Sequence, residues 1–405
     1  MGSKPLNPRY LVVFGSCLTQ FTVIGLLFSF GLFFKVFEAE FGWSRTVFSV
    51  CSAVGFFMMG ALAMVGGRLS DRFGPRRVLL VTGIAYGLGF ALISRVGAPW
   101  QLFLIFATLI GMGLGTHDVV TLSTVARWFE TRRGIMTAVV KVGTAAGQVT
   151  VPPLVAGMIA WFGWRDAVVA LGVAAGVLLV IAALSMSSPP VRRNADGIAE
   201  PSPGGEGVTF QQARKTRILW TMCAIQFLFF PSLVTVPLHL PAHGVDLGMT
   251  TGVAAALLSV IGAASIAGRL VLGKAIDAVG GRSAYVICFA GLIAALIGLT
   301  VITAHWALFA IVALYGFSHG ALFVIVSPTV AEYFGMRAHG AIFGLVLFFG
   351  TVGASVGPIL AGWLFDTTGS YFYAFLTLIA LAVMALALAL TLPSQSALDE
   401  AGLEA

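Results

Sequence analysis

Three ionisable side chains sit in stretches that otherwise carry almost no charge. Arg269 lies in LLSVIGAASIAGRLVLGKAID (257–277), Asp118 in GMGLGTHDVVTLSTVA (111–126) and Lys141 in TAVVKVGTAAG (137–147). A charge at such depth costs roughly 2.5–3.5 kcal/mol on insertion scales, and it is kept where it faces a cavity or a partner. The residue types define the chemistry. A guanidinium presents a planar fork of donors that matches a carboxylate, and a carboxyl beside an ammonium can hold or release a proton. Asp118 lies about ten residues before the end of its apolar run and Lys141 about eight after the start of the next, so at ~1.5 Å per residue the two reach one depth on adjoining helices. An Asp118–Lys141 ion pair is expected, which leaves Arg269 as the one uncompensated cation, one that a single carboxylate from solution would neutralise. Two other readings stay open: Arg269, four residues before Gly273, could snorkel to the surface, and the Asp118–Lys141 pair could be purely architectural.

The elements that must hold these residues follow from composition. Of 405 residues 59% are hydrophobic and 10% charged, against roughly 25% charged in a soluble domain, which excludes a soluble fold. Apolar runs long enough to cross a ~30 Å hydrocarbon core recur along the chain. Twelve spans are expected, at 10–35, 44–67, 76–95, 100–125, 134–160, 166–187, 217–243, 250–272, 283–303, 305–331, 340–364 and 371–393. The chain therefore reads as an all-α membrane protein whose first partner is the lipid bilayer. With both termini cytoplasmic, 17 of the 23 Lys and Arg fall inside, four (Lys35, Arg45, Arg95, Arg165) fall outside, and Lys141 and Arg269 lie within spans. The net charge of +7 is thus an insertion signal for the cell's inner (plasma) membrane, not a nucleic-acid signal. Cys17, Cys51, Cys223 and Cys288 fall within spans with no metal or redox spacing, so no metal site and no cofactor are expected. GFSHG (316–320) and GASVG (353–357) match the serine-hydrolase elbow, but each lies inside a span with no preceding strand, so the chain is not read as an enzyme.

One polar segment, 188–216, contains SSPPVRRNADGIAEPSPGGEG and reads as a cytoplasmic linker between an N-terminal six-helix bundle at 1–187 and a C-terminal one at 217–405. The halves repeat. Gly67, Asp71, Gly74 and Arg76 of GRLSDRFGPRR return 206 residues on as Gly273, Asp277, Gly280 and Arg282 of GKAIDAVGGR. Glycine permits a tight turn, and the carboxylate can accept from a neighbouring helix N-terminus or an arginine. Gly67, Asp71, Arg72, Gly74, Arg76, Asp277 and Arg282 are therefore read as a gating motif rather than a substrate site.

With this repeated loop the chain resembles the major facilitator superfamily. That resemblance implies two six-helix bundles about an axis along the membrane normal, a central cavity and alternating access. FGWSR (41–45), ARWFETRRG (126–134), FGWRDA (162–167), PLHLPAHGVDLGMT (237–250), SIAGRLVLG (265–273) and GPILAGWLFDTTGSY (357–371) resemble bacterial members of the monocarboxylate transporter family and, more loosely, the oxalate and formate exchangers. The resemblance implies that Arg269, in the eighth span, binds the substrate carboxylate. Departures accompany it: Ser265 stands where animal members carry a proton-coupling Asp, Phe28 where they carry a lysine, and the eleventh span, AIFGLVLFFGTVGASVG (341–357), lacks the second cation of the oxalate exchangers.

The remaining site candidates are Tyr315, Ser318 and His319 in the glycine-thinned tenth span, Phe28 and Leu27 as apolar lining, His117 beside Asp118, and Gln148, which with Thr144 extends a polar stripe from Lys141. Asp118 and Lys141 are the proton-coupling candidates, with a group not yet identified as the alternative. The expected function is secondary transport of lactate- or pyruvate-like monocarboxylates in symport with a proton. Two alternatives stand beside it: an oxalate- or formate-like antiporter in which Lys141 is free, and a transporter-like sensor that binds without moving its ligand.

Overall fold

The computed structural model describes residues 7–43, 45–189 and 207–394. It is helical throughout, as a chain in hydrocarbon must be when every backbone polar group has to be satisfied within its own segment. The spans are α1 (Pro8–Ser29), α2 (Arg45–Phe73), α3 (Pro75–Ile93), α4 (Pro99–Trp128, with a π turn at Phe106–Ile110), α5 (Arg133–Phe162), α6 (Trp164–Leu184), α7 (Arg217–Asp246), α8 and α9 (together Thr251–Val301), α10 (His305–Phe334), α11 (His339–Thr368) and α12 (Phe372–Leu390). Among the described residues these are the twelve spans of two six-helix bundles.

Local signals set the helix ends. Asn7 caps α1 by accepting the Arg9 N–H at 3.3 Å, with Pro8 at the first helical position. Thr216 and Thr250 cap α7 and α8 in the same way, accepting from the Leu219 and Val253 N–H groups at 3.3 and 3.4 Å. The repeated glycine makes the turn in each half: Gly74 (φ 83, ψ 157) separates α2 from α3, and Gly280 (φ 75, ψ 167) breaks the 51-residue helix Thr251–Val301 into α8 and α9. The motif expected as loop is therefore mostly helical, and only its second glycine leaves helical geometry. Large apolar side chains on the outer faces, such as Trp161 (80% exposed), Trp306 (79%) and Ile359 (70%), suit lipid contact.

One expected span is shorter than the sequence suggests. α1 stops at Ser29, and the chain continues as a 3₁₀ turn (Phe30–Phe33) and a short helix (Phe34–Phe41) closed by Gly42 at φ 67. This segment is anchored through its carboxylate. Glu40 accepts from Trp164 Nε1 at 2.6 Å and pairs with Arg165 at 2.6 Å. Arg165 also stacks 4.3 Å over the Trp164 ring, which packs edge-on against Phe37 at 4.8 Å. Arg165 and Trp164 favour the charged carboxylate and hold Glu40 below the usual carboxyl range. A lowered folded value means the clamp contributes stability above pH ~4.3 and loses it as the pH falls through that folded value. Thermal unfolding in detergent is expected to show Glu40→Gln slightly below wild type at pH 7, with the two curves converging below about pH 4. An offset independent of pH would refute the assignment.

The described residues cluster into two compact units. One draws on Met1–Glu130, Val139–Thr209 and Phe334–Phe348, the other on Thr131–Ala138, Phe210–Tyr333 and Phe349–Ala405. The start of α5 belongs to the later of these units and the start of α11 to the earlier one. In the first unit Val208 N–H also donates to the Phe334 carbonyl at 3.0 Å. Residues 190–206 of the linker and the tail from 395 lie outside the described residues.

Candidate functional site

In the first unit the two charges meet. Lys141 Nζ of α5 lies 2.5 Å from Asp118 Oδ1 of α4, with side chains only 4% and 16% exposed. A third residue closes the cluster: Gln20 of α1 donates from Nε2 to Asp118 Oδ1 at 2.7 Å and to Thr121 Oγ1 at 3.1 Å, while its Oε1 accepts from Thr144 Oγ1 at 2.8 Å. Three helices are thus tied through one carboxylate, which satisfies the buried ammonium as burial requires. His117 joins the knot through its carbonyl, which accepts from Gln20 Nε2 at 3.3 Å, while its ring places Nδ1 2.5 Å from the Leu114 carbonyl. Since a carbonyl can only accept, that nitrogen carries the proton.

A reading of the sequence that follows charge misses Gln20, because it passes over a neutral amide. The available signal is a carboxamide in the middle of an apolar span. Gln148, one turn beyond Thr144, is half-buried and takes no hydrogen bond from the cluster. Leu27 packs on the buried apolar cluster around Val23 and Phe30, and Phe28 is 54% exposed.

The second unit assembles a site around Arg269 of α8, which is 1% exposed and the largest of the fully buried side chains. The snorkelling reading requires its head group in water, and the fold buries it instead. Its guanidinium stands 5.7 Å from the centre of the Phe323 ring, a cation–π arrangement. His319, one turn earlier on α10, packs 5.1 Å from the same ring and places Nδ1 3.4 Å from Ser265 Oγ. The two helices can present these groups together because their backbones touch: a Cβ on Gly268 would collide with the Phe317 backbone, and one on Gly320 with the Ser265 backbone.

Two candidates are committed elsewhere. The Tyr315 hydroxyl donates to the Ser232 carbonyl at 2.8 Å, tying α10 to α7, so that its ring, 5.6 Å from His319, is what it contributes here. Ser318 faces α9, where its Oγ would lie 2.5 Å from a Cβ on Gly291. Tyr315, His319 and Phe323 recur every four residues and their rings follow one another along one face of α10, whereas Ser318 is turned toward Gly291 of α9.

The motif residues form separate anchor points. Asp71 pairs with Arg127 and accepts the Ala341 N–H at 3.3 Å, while Gly67 meets the Gly340 backbone. In the other unit Asp277 accepts from Gly134 N–H at 2.7 Å and Ile135 N–H at 3.1 Å, at the start of α5. Both carboxylates therefore hold the first turn of a helix, where the macrodipole favours negative charge. Arg72 lies over the Phe73 ring at 5.1 Å, and no ion pair involves Arg72, Arg76 or Arg282 among the described residues. Among the described residues no group of three His, Cys, Asp or Glu comes together as a metal site.

Comparison with known proteins agrees with this architecture. The profile of the Major Facilitator Superfamily matches residues 14–358 and 246–404. Monocarboxylate transporter 13 of Bos taurus is 29% identical over 396 residues, covering 95% of this chain and 89% of the relative, and monocarboxylate transporter 11 of Homo sapiens is 29% identical over 365 residues, covering 87% and 76%. The solved structure of the proton:xylose symporter XylE superposes with a TM-score of 0.75 over 97% of this chain and 98% of that one, at 14% identity, a likeness of fold. With twelve spans, a repeated motif and a family profile that matches most of its length, the chain belongs to the Major Facilitator Superfamily and is a membrane transporter.

Proposed function

We propose that this transporter carries small monocarboxylates of the lactate and pyruvate type together with a proton, by alternating access. The observation that carries the reading is Arg269, a guanidinium buried to 1% exposure at depth in an apolar helix and held over an aromatic ring. A carboxylate is the anion its fork geometry accepts best. Ser265 and His319 stand beside it as further polar contacts. Relatives named as monocarboxylate transporters over most of their length support the same class of cargo. The Asp118–Lys141–Gln20 knot is the proposed proton relay, and the Asp71 and Asp277 anchors are the ties that would open and close during transport. The Lys and Arg distribution supports the inner (plasma) membrane with both termini inside.

The test is uptake of radiolabelled L-lactate into proteoliposomes, with and without an inward proton gradient. Uptake driven by the gradient is the expected result. A dianion exchanger would need Lys141 released from Asp118, and the 2.5 Å contact weighs against it. Absent uptake, with brisk exchange after preloading with oxalate or formate, would establish that alternative instead.

A further inference from the structure

Close approaches between backbones fix the register of the internal repeat independently of the polar side chains. In the first half a Cβ on Gly147 of α5 would strike the Phe21 carbonyl of α1, and Gly25 lies against Val151. In the second, Gly353 of α11 meets the Phe227 carbonyl of α7, and Gly357 lies against Pro231. Each position is 206 residues from its counterpart. For α4 and α10 the offset is 205: Gly111 against Met58 becomes Gly316 against Ala264, and VARWF (125–129) becomes VAEYF (330–334).

In this register Gln20 corresponds to Gln226. The partners of Gln20 do not recur: Asp118 becomes Phe323, Thr121 becomes Val326, Thr144 becomes Gly350, and Lys141 beside them becomes Leu347. The second half has replaced the polar knot with side chains that cannot hydrogen-bond, yet it keeps the glutamine. Gln226 is 0% exposed, and neither its Nε2 nor its Oε1 has a hydrogen-bond partner among the described residues. An unpaired buried amide opposes folding, and leucine or methionine would fill the same volume without that penalty.

The location suggests what offsets it. Phe323 occupies the place of Asp118, the group that Gln20 binds, and Phe323 is also the ring beneath the Arg269 guanidinium. Phe230, one turn after Gln226 on α7, packs edge-on against Phe323 at 5.9 Å. Gln226 thus stands one turn before a ring that packs on Phe323, and Phe323 in turn carries the Arg269 guanidinium.

We propose that Gln226 is a specificity-determining contact for the anion held by Arg269, hydrogen-bonding the oxygen on carbon 2 of a 2-hydroxy- or 2-oxo-monocarboxylate. The inference rests on the carboxylate reading of Arg269. A carboxamide can donate to a keto oxygen and both donate to and accept from a hydroxyl, whereas an unsubstituted short acid leaves it unpaired. A site built to pair a substrate oxygen discriminates against the analogue lacking it, because its own polar atoms are then stranded.

The experiment measures L-lactate, pyruvate and propionate transport by the full-length protein in proteoliposomes, for wild type, Gln226→Leu and Gln226→Met, with thermal unfolding as the folding control. Wild type is expected to prefer the two substituted acids, and in both variants the ratio of propionate KM to lactate KM is expected to fall about tenfold, with no loss in Tm. Transport of all three acids with that ratio unchanged in the variants overturns the role of Gln226 and leaves the carboxylate reading standing. A wild type that carries none of the three overturns both.

Discussion

Arg269→Gln is expected to abolish carboxylate uptake while leaving a folded protein in the membrane. The guanidinium is 1% exposed and lies against Phe323, His319 and the α8–α10 contact, so its desolvation is already incurred before any substrate arrives. Glutamine keeps much of the volume and can still hydrogen-bond, and it removes a buried charge. The Tm of the variant should therefore match or exceed that of wild type. Binding responds in the opposite direction. A bidentate, charge-assisted pair in a site shielded from water contributes several kcal/mol, and losing about 3 kcal/mol corresponds to more than a hundredfold loss in uptake kcat/KM. Arg269→Lys separates charge from geometry: it keeps the cation but loses the fork, and an intermediate loss of roughly tenfold is expected. Both variants are read by lactate uptake at saturating proton gradient, alongside size-exclusion profiles and thermal unfolding. Normal transport by Arg269→Gln would remove the basis of the carboxylate assignment.

How far these features are legible in the sequence depends on the physical signal behind each. Apolar run length yields the spans, because the bilayer imposes it. The Asp118–Lys141 contact follows from counting residues from a shared turn, since rise per residue is fixed in a helix. Rotation about the helix axis is harder to read. Tyr315 and Ser318 share a span with His319, yet the Tyr315 hydroxyl is committed to the Ser232 carbonyl and Ser318 is turned toward Gly291 of α9. The end of α1 is hidden because FGLFFKVF is apolar enough to extend a span, although Glu40 and the Gly42 turn make it a separate short helix clamped to Trp164. The motif reads as a loop because Asp and Arg are polar, whereas only Gly74 and Gly280 need backbone conformations foreign to a helix. Gln20 escapes notice because a neutral amide carries no charge to flag, and its importance is visible only once its partners are placed around it.

Asp118→Asn tests the other buried charge and is expected to damage both stability and coupling. The variant leaves the Lys141 ammonium, 4% exposed, beside a neutral amide, and breaking one side of a buried pair typically costs ~3–5 kcal/mol. Gln20 loses its anionic acceptor at the same time, so a marked fall in Tm is the first expected outcome. That fall alone would not separate a relay from a strut. The double variant Asp118→Asn, Lys141→Met does, because replacing the whole pair by groups of similar volume is often neutral for stability. Its Tm should recover most of the loss. If Asp118 carries the coupled proton, lactate uptake by the double variant loses its dependence on the inward proton gradient, and counterflow exchange, which needs no net proton movement, persists. Asp118→Glu, which preserves a carboxyl within reach of Lys141, should retain gradient-driven uptake at a reduced rate. A double variant with recovered Tm and wild-type gradient dependence would assign the pair to architecture and send the proton through another group. Both outcomes depend on a carboxylate that binds α1, α4 and α5 together: a proton arriving there weakens three helix contacts at once, so that a single protonation can bias a conformational equilibrium of the whole unit.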